Sequence, residues 1–418
     1  MKILVLTPYL PHPLSGHGGG EYVYGLIKHL SKSHEVMLIS FGDGEELTLS
    51  KELQHLPVQL KIVPREKGKQ KNMLRNARLV FIRLFQFLRS VVLWQPYYVS
   101  KFRNPRMEKL ISQETRNTKY DIIQIEFAQM GQYVQFVSNG RSVIREHDVM
   151  FRPSYRRFRK ANSLLLKLFY YLEWCRWANY ERKMVRHFDH VLTFTQQDTD
   201  LLKRLTNSHN VSYNPRGIEI PEVVRDYSQR DRFSLLFVGT FNHLPNVDAV
   251  IWLCSEIFPE LQKRCPQATL YIVGKNPPTS VRTIAAADQA IRLLGFVPQI
   301  EDYLDRLSVF VAPIRLGGGI KTKILHAQSY GIPVVTTPIG AEGIESGDET
   351  TLIVKRSVPE IVDSIVMLFA NREKAAEIAN KARIAVVRHY AWATVVKQLE
   401  GIYSKLLENP PSKNVNQS

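Results

Sequence analysis

The sequence contains few cysteines, and their placement excludes two common kinds of protein. Only three occur in 418 residues, at Cys175, Cys254 and Cys265, and no two of them stand in CxxC spacing. An odd number of scattered cysteines indicates neither a disulfide framework nor a structural zinc site. This usage is typical of a protein kept in a reducing cytosol.

Long apolar runs and a leader segment are also missing. The first residues, MKILVLTPYLPHP, lack the apolar length and the cleavage site of a signal peptide and are typical of a first buried strand. No charge-free apolar run reaches the roughly 18 residues that a membrane-spanning helix needs. We therefore expect a cytoplasmic chain that does not cross a membrane.

Metal-binding motifs are absent as well. There is no HExxH and no other cluster of histidines and carboxylates. The triplet DTD at 198–200 resembles the paired aspartates that hold a metal in some enzymes. It follows the strand-like HVLTFTQ and precedes LLKRL, so Asp198 is expected to cap a helix instead. We predict no catalytic metal.

What the chain does have is positive charge in one half of its sequence. The formal net charge is +17; 37 Lys and Arg stand against 22 Asp and Glu in residues 1–232, but only 19 against 17 in residues 233–418. The excess is concentrated in 65–109 and 152–186. Such a one-sided field attracts phosphates, nucleic acid or an anionic membrane surface.

Alternating strand and helix patterns occupy both halves. The first series opens with KILVLTPYL, the helical GGGEYVYGLIKHLSK and HEVMLISF; the second runs from SLLFVGTF to TLIVK. Repeated βαβ patterns predict the α/β class with doubly wound parallel sheets. A Pro- and charge-rich stretch divides the series, so we expect a first domain over 1–212, a linker over 213–232, a second domain over 233–387 and a polar tail over 408–418.

Residues 74–94, LRNARLVFIRLFQFLRSVVLW, form a predicted amphipathic helix. Arg75, Arg78, Gln86 and Arg89 fall near one face, while Leu, Phe and Val fill the rest. Such a helix can lie in the interface of an anionic bilayer, or its apolar side can pack on its neighbours. HDVMFRPSYRRFRK and NSLLLKLFYYLEWCRW repeat this composition, which favours membrane contact.

Two candidate sites lie in the first half. Gly18, Gly19 and Gly20 precede a helical pattern, where N–H groups can bind an anion and glycine lets a ligand approach; a tight turn would explain them too. The segment is not GxGxxG, because Glu21 stands at the sixth position from Gly16. REHD, residues 145–148, ends a predicted strand. There His147 can hydrogen-bond a ligand and Asp148 can orient the His147 ring, although a lone histidine is more often structural.

Two further loops follow strands in the second half. In VGTFNHLPN, residues 238–246, Gly239, Thr240 and His243 can contact a phosphate, unless this is an ordinary βα loop. GGGIKTKILHA, residues 317–327, combines close backbone approach at Gly317, Gly318 and Gly319 with the charges of Lys321 and Lys323. Three glycines and two lysines at a strand end predict a diphosphate site.

Taken in order, these segments resemble a GT-B glycosyltransferase of the large retaining family four, and in particular bacterial sugar transferases of surface-polysaccharide assembly. The resemblance spans nearly the whole chain, including QPYYVSKFRNP, YDIIQIEF, REHD, GTFNHLPNVDAVIWL, PQATLYIVGKNPP, LLGFVPQIEDYL, GGGIKTKILHAQSYGIPVVTTPIGAEGI and HYAWATVVKQLEGIY. It implies two Rossmann-like domains facing a cleft, with a helix over about 388–407 crossing back to complete the first domain.

The resemblance also implies a reaction: metal-independent transfer with retention from a nucleotide sugar bound by the second domain to an acceptor bound by the first. Lys323, Lys321 and the backbone around Gly239 and Gly317–Gly319 would hold the donor phosphates, and UDP is more common than GDP. Gly19 and Gly20 would approach the donor from the other domain. His147 would position the sugar and accept hydrogen bonds. No cofactor is implied beyond the nucleotide sugar.

One position departs from the family pattern in a way that bears on function. The family commonly carries two glutamates eight positions apart in this loop, for the sugar and for the ribose hydroxyls; here those positions are Gly318 and His326. The glycine is usual among relatives with a glycine-rich loop. A neutral imidazole offers one acceptor where a carboxylate offers several, so His326 can bond one ribose hydroxyl at most.

We therefore expect an active glycosyltransferase, peripheral on the inner face of the plasma membrane, that extends a glycan or a lipid-diphosphate-linked acceptor. The alternative is a catalytically silent relative that serves as a scaffold in polysaccharide assembly, motivated by Gly318 and His326. Nucleic-acid binding is disfavoured because no RRM or helix-turn-helix signature is present. A phosphorylase is disfavoured because no lysine is placed to form a Schiff base with its cofactor.

Overall fold

The structure is a computed structural model that describes residues 1–13, 18–43, 53, 55–65, 73–345 and 350–408, with backbone only for 73–79. It divides into two compact units. Residues Met1–Gly217 and Val395–Ser418 form the first unit, and Ile218–Thr394 form the second. Each unit is a parallel sheet covered by helices. The predicted tail lies outside the described residues from 409 onward.

The first unit is built on a seven-stranded parallel sheet in the order β3-β2-β1-β4-β5-β6-β7. Its central strands are buried along nearly their whole length, as expected for a sheet covered on both faces. The strands are β1 Lys2–Thr7, β2 Glu35–Gly42, β3 Val58–Pro64, β4 Ile122–Glu126, β5 Arg141–Glu146, β6 His190–Thr193 and β7 Val211–Tyr213.

The helices of the first unit connect these strands. They are α1 Gly18–Leu30, α2 Met73–Val92, α3 Tyr97–Lys101, α4 Pro105–Asn117, a 3₁₀ segment Ala128–Phe136, α5 Phe151–Lys160, α6 Leu164–Val185 and α7 Gln196–Thr206. The expectation that Asp198 caps α7 is wrong. The cap is Thr195, whose Oγ1 accepts from the Asp198 N–H, and Asp198 stands in the first helical turn.

The second unit is a six-stranded parallel sheet in the order β10-β9-β8-β11-β12-β13. Its strands are β8 Asp231–Val238, β9 Thr269–Val273, β10 Ile291–Gly295, β11 Leu307–Ala312, β12 Val334–Thr336 and β13 Ile353–Val354. Its helices are a 3₁₀ turn Tyr227–Gln229, α8 Leu244–Trp252 continued by the π segment Leu253–Ile257, α9 Phe258–Arg264, α10 Thr279–Ala286, α11 Glu301–Arg306, α12 Thr322–Ser329, α13 Val358–Ala370 and α14 Arg372–Tyr390.

The last helix, α15 Trp392–Glu408, belongs with the first unit from Val395 onward. Its contacts there are polar and specific. Asn214 donates to the Val395 carbonyl at 3.1 Å, and the His34 ring bonds Glu400 at 2.8 Å. Tyr403 is fully buried, and its hydroxyl donates to Gln124 Oε1 on β4 at 2.9 Å. The C-terminal helix therefore completes the first Rossmann-like unit.

The predicted α/β fold class, two doubly wound parallel domains with a helical C-terminus, is confirmed. The sequence did not predict β3 and β7, because β3 largely alternates half-buried and exposed residues and β7 has only three residues. Within the part of the chain that the structure describes, none of the helices combines the length and the apolar character needed to span a bilayer.

The amphipathic segment is helical, and many of its apolar residues from position 80 onward are exposed. Large side chains on α2 and at the start of α6 are more than half exposed: Val80, Phe81, Leu84, Phe85, Leu88, Val92, Leu164, Leu165 and Leu168. Arg75 and Arg78 have side chains outside the described part. Among the residues that are described, Phe87 packs on Tyr97 of α3, so the apolar side of the helix is packed in part and exposed in part.

Candidate functional site

The second unit brings two predicted loops together at one sheet edge. β8 and β11 are neighbours in a parallel sheet, so the loops that follow them leave from the same edge. They touch, since a Cβ built on Gly317 would lie 3.4 Å from Cγ of Pro245. Gly317 and Gly319 have φ values of 96° and 68°, which other residues rarely adopt. The glycine-rich sequence is thus required by the backbone path of the loop.

Lys323 lies on the first turn of α12 and points back across both loops. Its Nζ donates to the Val238 carbonyl at 2.9 Å and to Asn246 Oδ1 at 2.6 Å, and it stands 4.9 Å from the centre of the Phe237 ring. Two of the three ammonium donors are therefore held by neutral acceptors. Burial lowers the pKa of Lys323 to about 7, and the charge of Lys321 adds to the shift.

Asn246 lies within the first turn of α8 and links the two loops. The helix begins at Leu244, with His243 at its N-cap, so Asn246 does not start it. Its side-chain amide instead joins the two loops, because it accepts from Lys323 and donates to the Thr240 carbonyl at 2.8 Å. Gly239 is needed beside it, since a Cβ there would lie 2.8 Å from Asn246 Cγ.

The backbone donors of the first loop are only partly available. The Gly239 N–H donates to the Val273 carbonyl at 2.9 Å, so this donor is not available to a ligand, and the His243 N–H bonds the Thr240 carbonyl at 3.3 Å. The Thr240 N–H makes no hydrogen bond within the described residues. The Thr240 N–H is therefore available for backbone contact to a ligand.

The field at this edge is positive. Lys321 donates to the carbonyls of Gly318 and Gly319 at 3.1 and 2.6 Å, which braces the loop directly before α12. Burial lowers the pKa of His243, and the charges of Lys323 and Lys321 lower it further, so the three side chains share one desolvated region. A helix N-terminus adds partial positive charge. His326 follows Lys323 by three positions on α12, hence on the same face, and is half-buried.

In the first unit, His147 follows β5 and is clamped between aromatic rings. It stacks on Phe127 with ring centres 3.6 Å apart, and it meets Tyr22 and Phe194 edge-on. Phe127 has a φ of 72°, which is strained for a residue with a side chain. Gly19 is required opposite, because a Cβ there would overlap Phe127 Cζ and lie 3.5 Å from His147 Nδ1. Gly20 is buried in the same turn of α1.

Glu126 is the polar partner of His147, and the sequence did not reveal it. Its Oε2 lies 2.7 Å from His147 Nε2, and both side chains are nearly or fully buried. The sequence suggested Asp148 for this role. The available signal was weak: Gln124 and Glu126 interrupt the otherwise apolar strand YDIIQIEF.

A hydrogen-bond relay of defined direction leads to this pair. Tyr403 donates to Gln124 Oε1, which turns the Gln124 amide so that its Nε2 donates to Glu126 Oε1 at 2.9 Å. Arg145, fully buried, stands 3.8 Å from the same oxygen. An ionised carboxylate only accepts, so Nε2 of His147 carries the ring proton and Nδ1 keeps its lone pair. Burial lowers the pKa of His147 to about 4, so the ring is neutral near pH 7.

No group of three or more His, Cys, Asp or Glu side chains is placed to hold a metal ion in the described ranges. The predicted site residues form one cluster in each unit. One is a positive glycine-lined edge in the second unit, and the other is a neutral histidine with one oriented acceptor in the first.

Comparison with known proteins gives the class of this fold. Over 97% of the chain it matches the crystal structure of Anabaena Alr3699/HepE in complex with UDP and glucose, with a TM-score of 0.64 and 15% identity over that whole chain. Sucrose-phosphate synthase from Thermosynechococcus elongatus matches with a TM-score of 0.70 and 15% identity, covering 97% of this chain and 99% of that one. The crystal structure of TarM matches with a TM-score of 0.67 and 10% identity, covering 96% of this chain and 98% of that one. The chain has the fold of the GT-B glycosyltransferases.

One part of the second unit matches a family model. Residues 232–371 match the family described as "Glycosyl transferases group 1". An uncharacterized 44.6 kDa protein in the cps region of Klebsiella pneumoniae is 25% identical over 410 residues, which cover 93% of this chain and 96% of the relative. The match and the bacterial relative support the coarse prediction of a glycosyltransferase.

Proposed function

We propose that the chain is a retaining, metal-independent glycosyltransferase that moves a sugar from a nucleotide-sugar donor to a glycan or lipid-linked acceptor. One observation carries the proposal: Lys323, Lys321 and His243 meet beside the Gly317–Gly319 turn, inside the segment that matches group 1 glycosyltransferases. Positive, desolvated, glycine-lined sites of this kind bind phosphate groups.

The chemistry of the step fits these groups. The acceptor oxygen bonds to the anomeric carbon while the bond from that carbon to the diphosphate oxygen breaks. The bonding electrons leave with the diphosphate, which also takes the acceptor's hydroxyl proton. Negative charge grows on the leaving group, so the third donor of Lys323, the Thr240 N–H and the start of α12 stabilise the transition state more than the ground state.

His147 takes part as a hydrogen-bond acceptor toward the donor sugar. Its Nε2 proton is committed to Glu126, so only Nδ1, on the side of Gly19, is available to a ligand. A lone pair there accepts from a sugar hydroxyl. Because the ring is neutral, His147 positions the sugar and does not add charge to it.

Membrane attachment of the first unit is part of the proposal. The exposed apolar residues of α2 and α6 are accompanied by α5, which carries Arg152, Arg156, Arg157, Arg159 and Lys160 and no carboxylate. Apolar side chains with basic neighbours suit the anionic inner leaflet of a plasma membrane. The relative encoded in a cps region supports a role in cell-surface polysaccharide synthesis.

The test pairs donor binding with turnover. UDP-sugars and GDP-sugars are screened by thermal shift, and transfer to membrane extracts is followed with and without EDTA. We expect at least one donor to raise Tm and activity to persist in EDTA. Lys323→Met should lower kcat by about 10²- to 10³-fold, as for loss of one oxyanion donor. Lys263→Met, an exposed residue paired with Glu260, is the control. No shift with any donor would refute the proposal.

A catalytically silent scaffold is the second candidate, and His326 is the observation that favours it. The variant His326→Glu separates the two. If imidazole is the working ribose ligand, the variant weakens UDP binding, because it removes the ring that contacts the ribose. A large gain in UDP affinity from this one change would instead indicate a degraded site and favour the scaffold.

A further inference from the structure

A pocket of about 540 Å³ opens in the first unit beside His147. This volume suits a small organic ligand such as one or two sugar rings. Its walls come from the residues after β1, from α3, from the start of the 3₁₀ segment and from α5 and α6. His147 and Phe127 form part of the wall, so a ligand in the pocket lies beside the His147 ring.

The walls are aromatic with polar tips. Tyr9 and Tyr98 join their hydroxyls at 2.5 Å, and Tyr9 meets Phe127 edge-on at 5.6 Å. Tyr170 and Trp177 line the pocket from α6. Side chains with an apolar body and a hydrogen-bonding edge suit a sugar, which has apolar C–H faces and a rim of hydroxyls.

One cation in the wall is available to an anion. Arg157 is exposed on α5, lines the pocket, and makes no hydrogen bond or ion pair within the described residues. The nearby carboxylate of Glu173 is already engaged, since Arg176 donates to it at 2.9 Å. Arg157 therefore adds an unneutralised guanidinium, the group best suited to grip a phosphate with two donors.

The same helices that wall the pocket carry the exposed apolar face. Phe169 lines the pocket and is about half exposed, and it continues the exposed row Leu164, Leu165 and Leu168 on α6. α2 reaches the pocket through α3, because Phe87 packs on Tyr97. Trp94, after α2, stacks under Arg176 of α6. The apolar face and the pocket mouth are thus continuous through shared residues.

We propose that this pocket binds the sugar-phosphate head of an acceptor that carries an apolar chain, with Arg157 on the phosphate and the chain held along the exposed faces of α2 and α6. The occupant is a lipid-linked glycosyl diphosphate, since the pocket combines a sugar-sized aromatic cavity, one cation and an apolar exit. The inference rests on the proposed glycosyltransferase function. It adds which residues select the acceptor.

The test uses full-length protein and three probes: phosphatidylcholine vesicles containing a polyprenyl diphosphate that carries a hexose, vesicles of matched negative charge made with phosphatidylglycerol, and inorganic diphosphate. Binding is measured by co-sedimentation for the vesicles and by calorimetry for inorganic diphosphate. We expect the first vesicles to be preferred. Arg157→Glu should abolish that preference with a loss of about 10- to 100-fold, as for removal of one charge-assisted contact. Arg159→Glu, on the same helix but outside the pocket lining, should weaken both vesicles equally.

Two further variants separate the pocket from the apolar face. Tyr170→Ala should lower only the preference for polyprenyl diphosphate, whereas its neighbour Tyr171→Ala, which does not line the pocket, should leave the preference intact. Leu165→Asp should weaken binding to both vesicle types. Tm values show that each variant is folded.

The outcomes distinguish this inference from the function on which it rests. Equal losses for Arg157→Glu and Arg159→Glu, or equal binding of wild type to both vesicles, would overturn the acceptor pocket and leave surface attraction alone. Inorganic diphosphate bound as tightly as the lipid would show that the apolar chain contributes nothing and would overturn it too. The proposed function fails separately, if no nucleotide sugar binds any variant.

Discussion

Replacement of Glu126 by glutamine tests how the protein sets the tautomer of His147. Tyr403 fixes the Gln124 amide so that its N–H₂ group faces residue 126. A glutamine there must turn its oxygen toward Gln124 and its own N–H₂ toward His147. The ring nitrogen Nε2 then has to accept, and the proton moves to Nδ1. One atom changed from oxygen to nitrogen thus converts the outward-facing acceptor into a donor.

The magnitude follows from the contact that is lost. If Nδ1 accepts from a sugar hydroxyl, Glu126→Gln replaces that hydrogen bond with two facing donors unless the hydroxyl rotates. Loss of one hydrogen bond in a buried site costs about 1.5–3 kcal/mol when a charged partner supports it. Since each 1.4 kcal/mol corresponds to a factor of ten, transfer should slow by about 10- to 100-fold, while UDP affinity stays within about twofold.

Two measurements check the reasoning. NMR of protein labelled with ¹⁵N-histidine should report His147 as the Nε2–H form in the wild type and the Nδ1–H form in Glu126→Gln. The double swap Gln124→Glu with Glu126→Gln is the matched control. The carboxylate placed at position 124 then accepts from Tyr403 and from the amide at position 126, whose oxygen again faces His147. The swap should restore both the tautomer and the rate; a double variant that behaves like the single one would refute the relay.

Three further predictions concern pH and packing. The pKa of His147 lies near 4 in the folded chain against an ordinary 6.5, so on acidification the unfolded state takes up the proton first. As the pH falls from 6.5 to 4, His147 should therefore lower the free energy of unfolding by up to about 3 kcal/mol. Urea titrations over this range should show a smaller loss of stability for His147→Gln than for the wild type. Lys323 has a pKa of about 7, and a bound diphosphate must raise it, so UDP binding at pH 8 should take up a proton. Calorimetry in two buffers of different ionisation enthalpy measures this uptake, and its persistence in Lys323→Met would contradict the assignment. Gly19→Ala should lower the free energy of unfolding by about 1–3 kcal/mol and displace Phe127, because its Cβ would overlap that ring. Gly401→Ala should raise it by about 0.5–1 kcal/mol, because Gly401 lies on an exposed helix face with nothing within 4 Å of the added Cβ. Equal effects of the two changes would contradict the contact with Phe127.

The fold was accessible from the sequence because its central strands are continuous apolar runs. Segments such as KILVLT and LSVFVA are buried on both faces, so periodicity and composition alone identify them. The edge strand β3 could not be predicted from the sequence, since VQLKIVP exposes alternate residues and resembles a polar connection. Sequence patterns report burial, and they lose force where a strand is half exposed or very short.

The candidate site was predictable only where it is local in sequence. The turn at Gly317–Gly319 and the lysines after it lie within seven residues, and the structure places them together. The partner of His147 was not predictable, because Glu126 stands 21 residues earlier and depends on a neighbouring strand. Which backbone N–H groups are available to a ligand was not predictable either. The Gly239 N–H looks free in a βα loop, yet a carbonyl of the adjacent strand β9 occupies it.

The position of Tyr403 has a consequence for synthesis of the chain. Residues 122–147 emerge from the ribosome early, but the hydroxyl that orients Gln124 comes 279 positions after it. Until α15 has been made and has docked, Tyr403 cannot orient the Gln124 amide, whose N–H₂ group donates to Glu126. The full hydrogen-bond set of Glu126, the partner of His147, therefore forms only after α15 has been made and has docked.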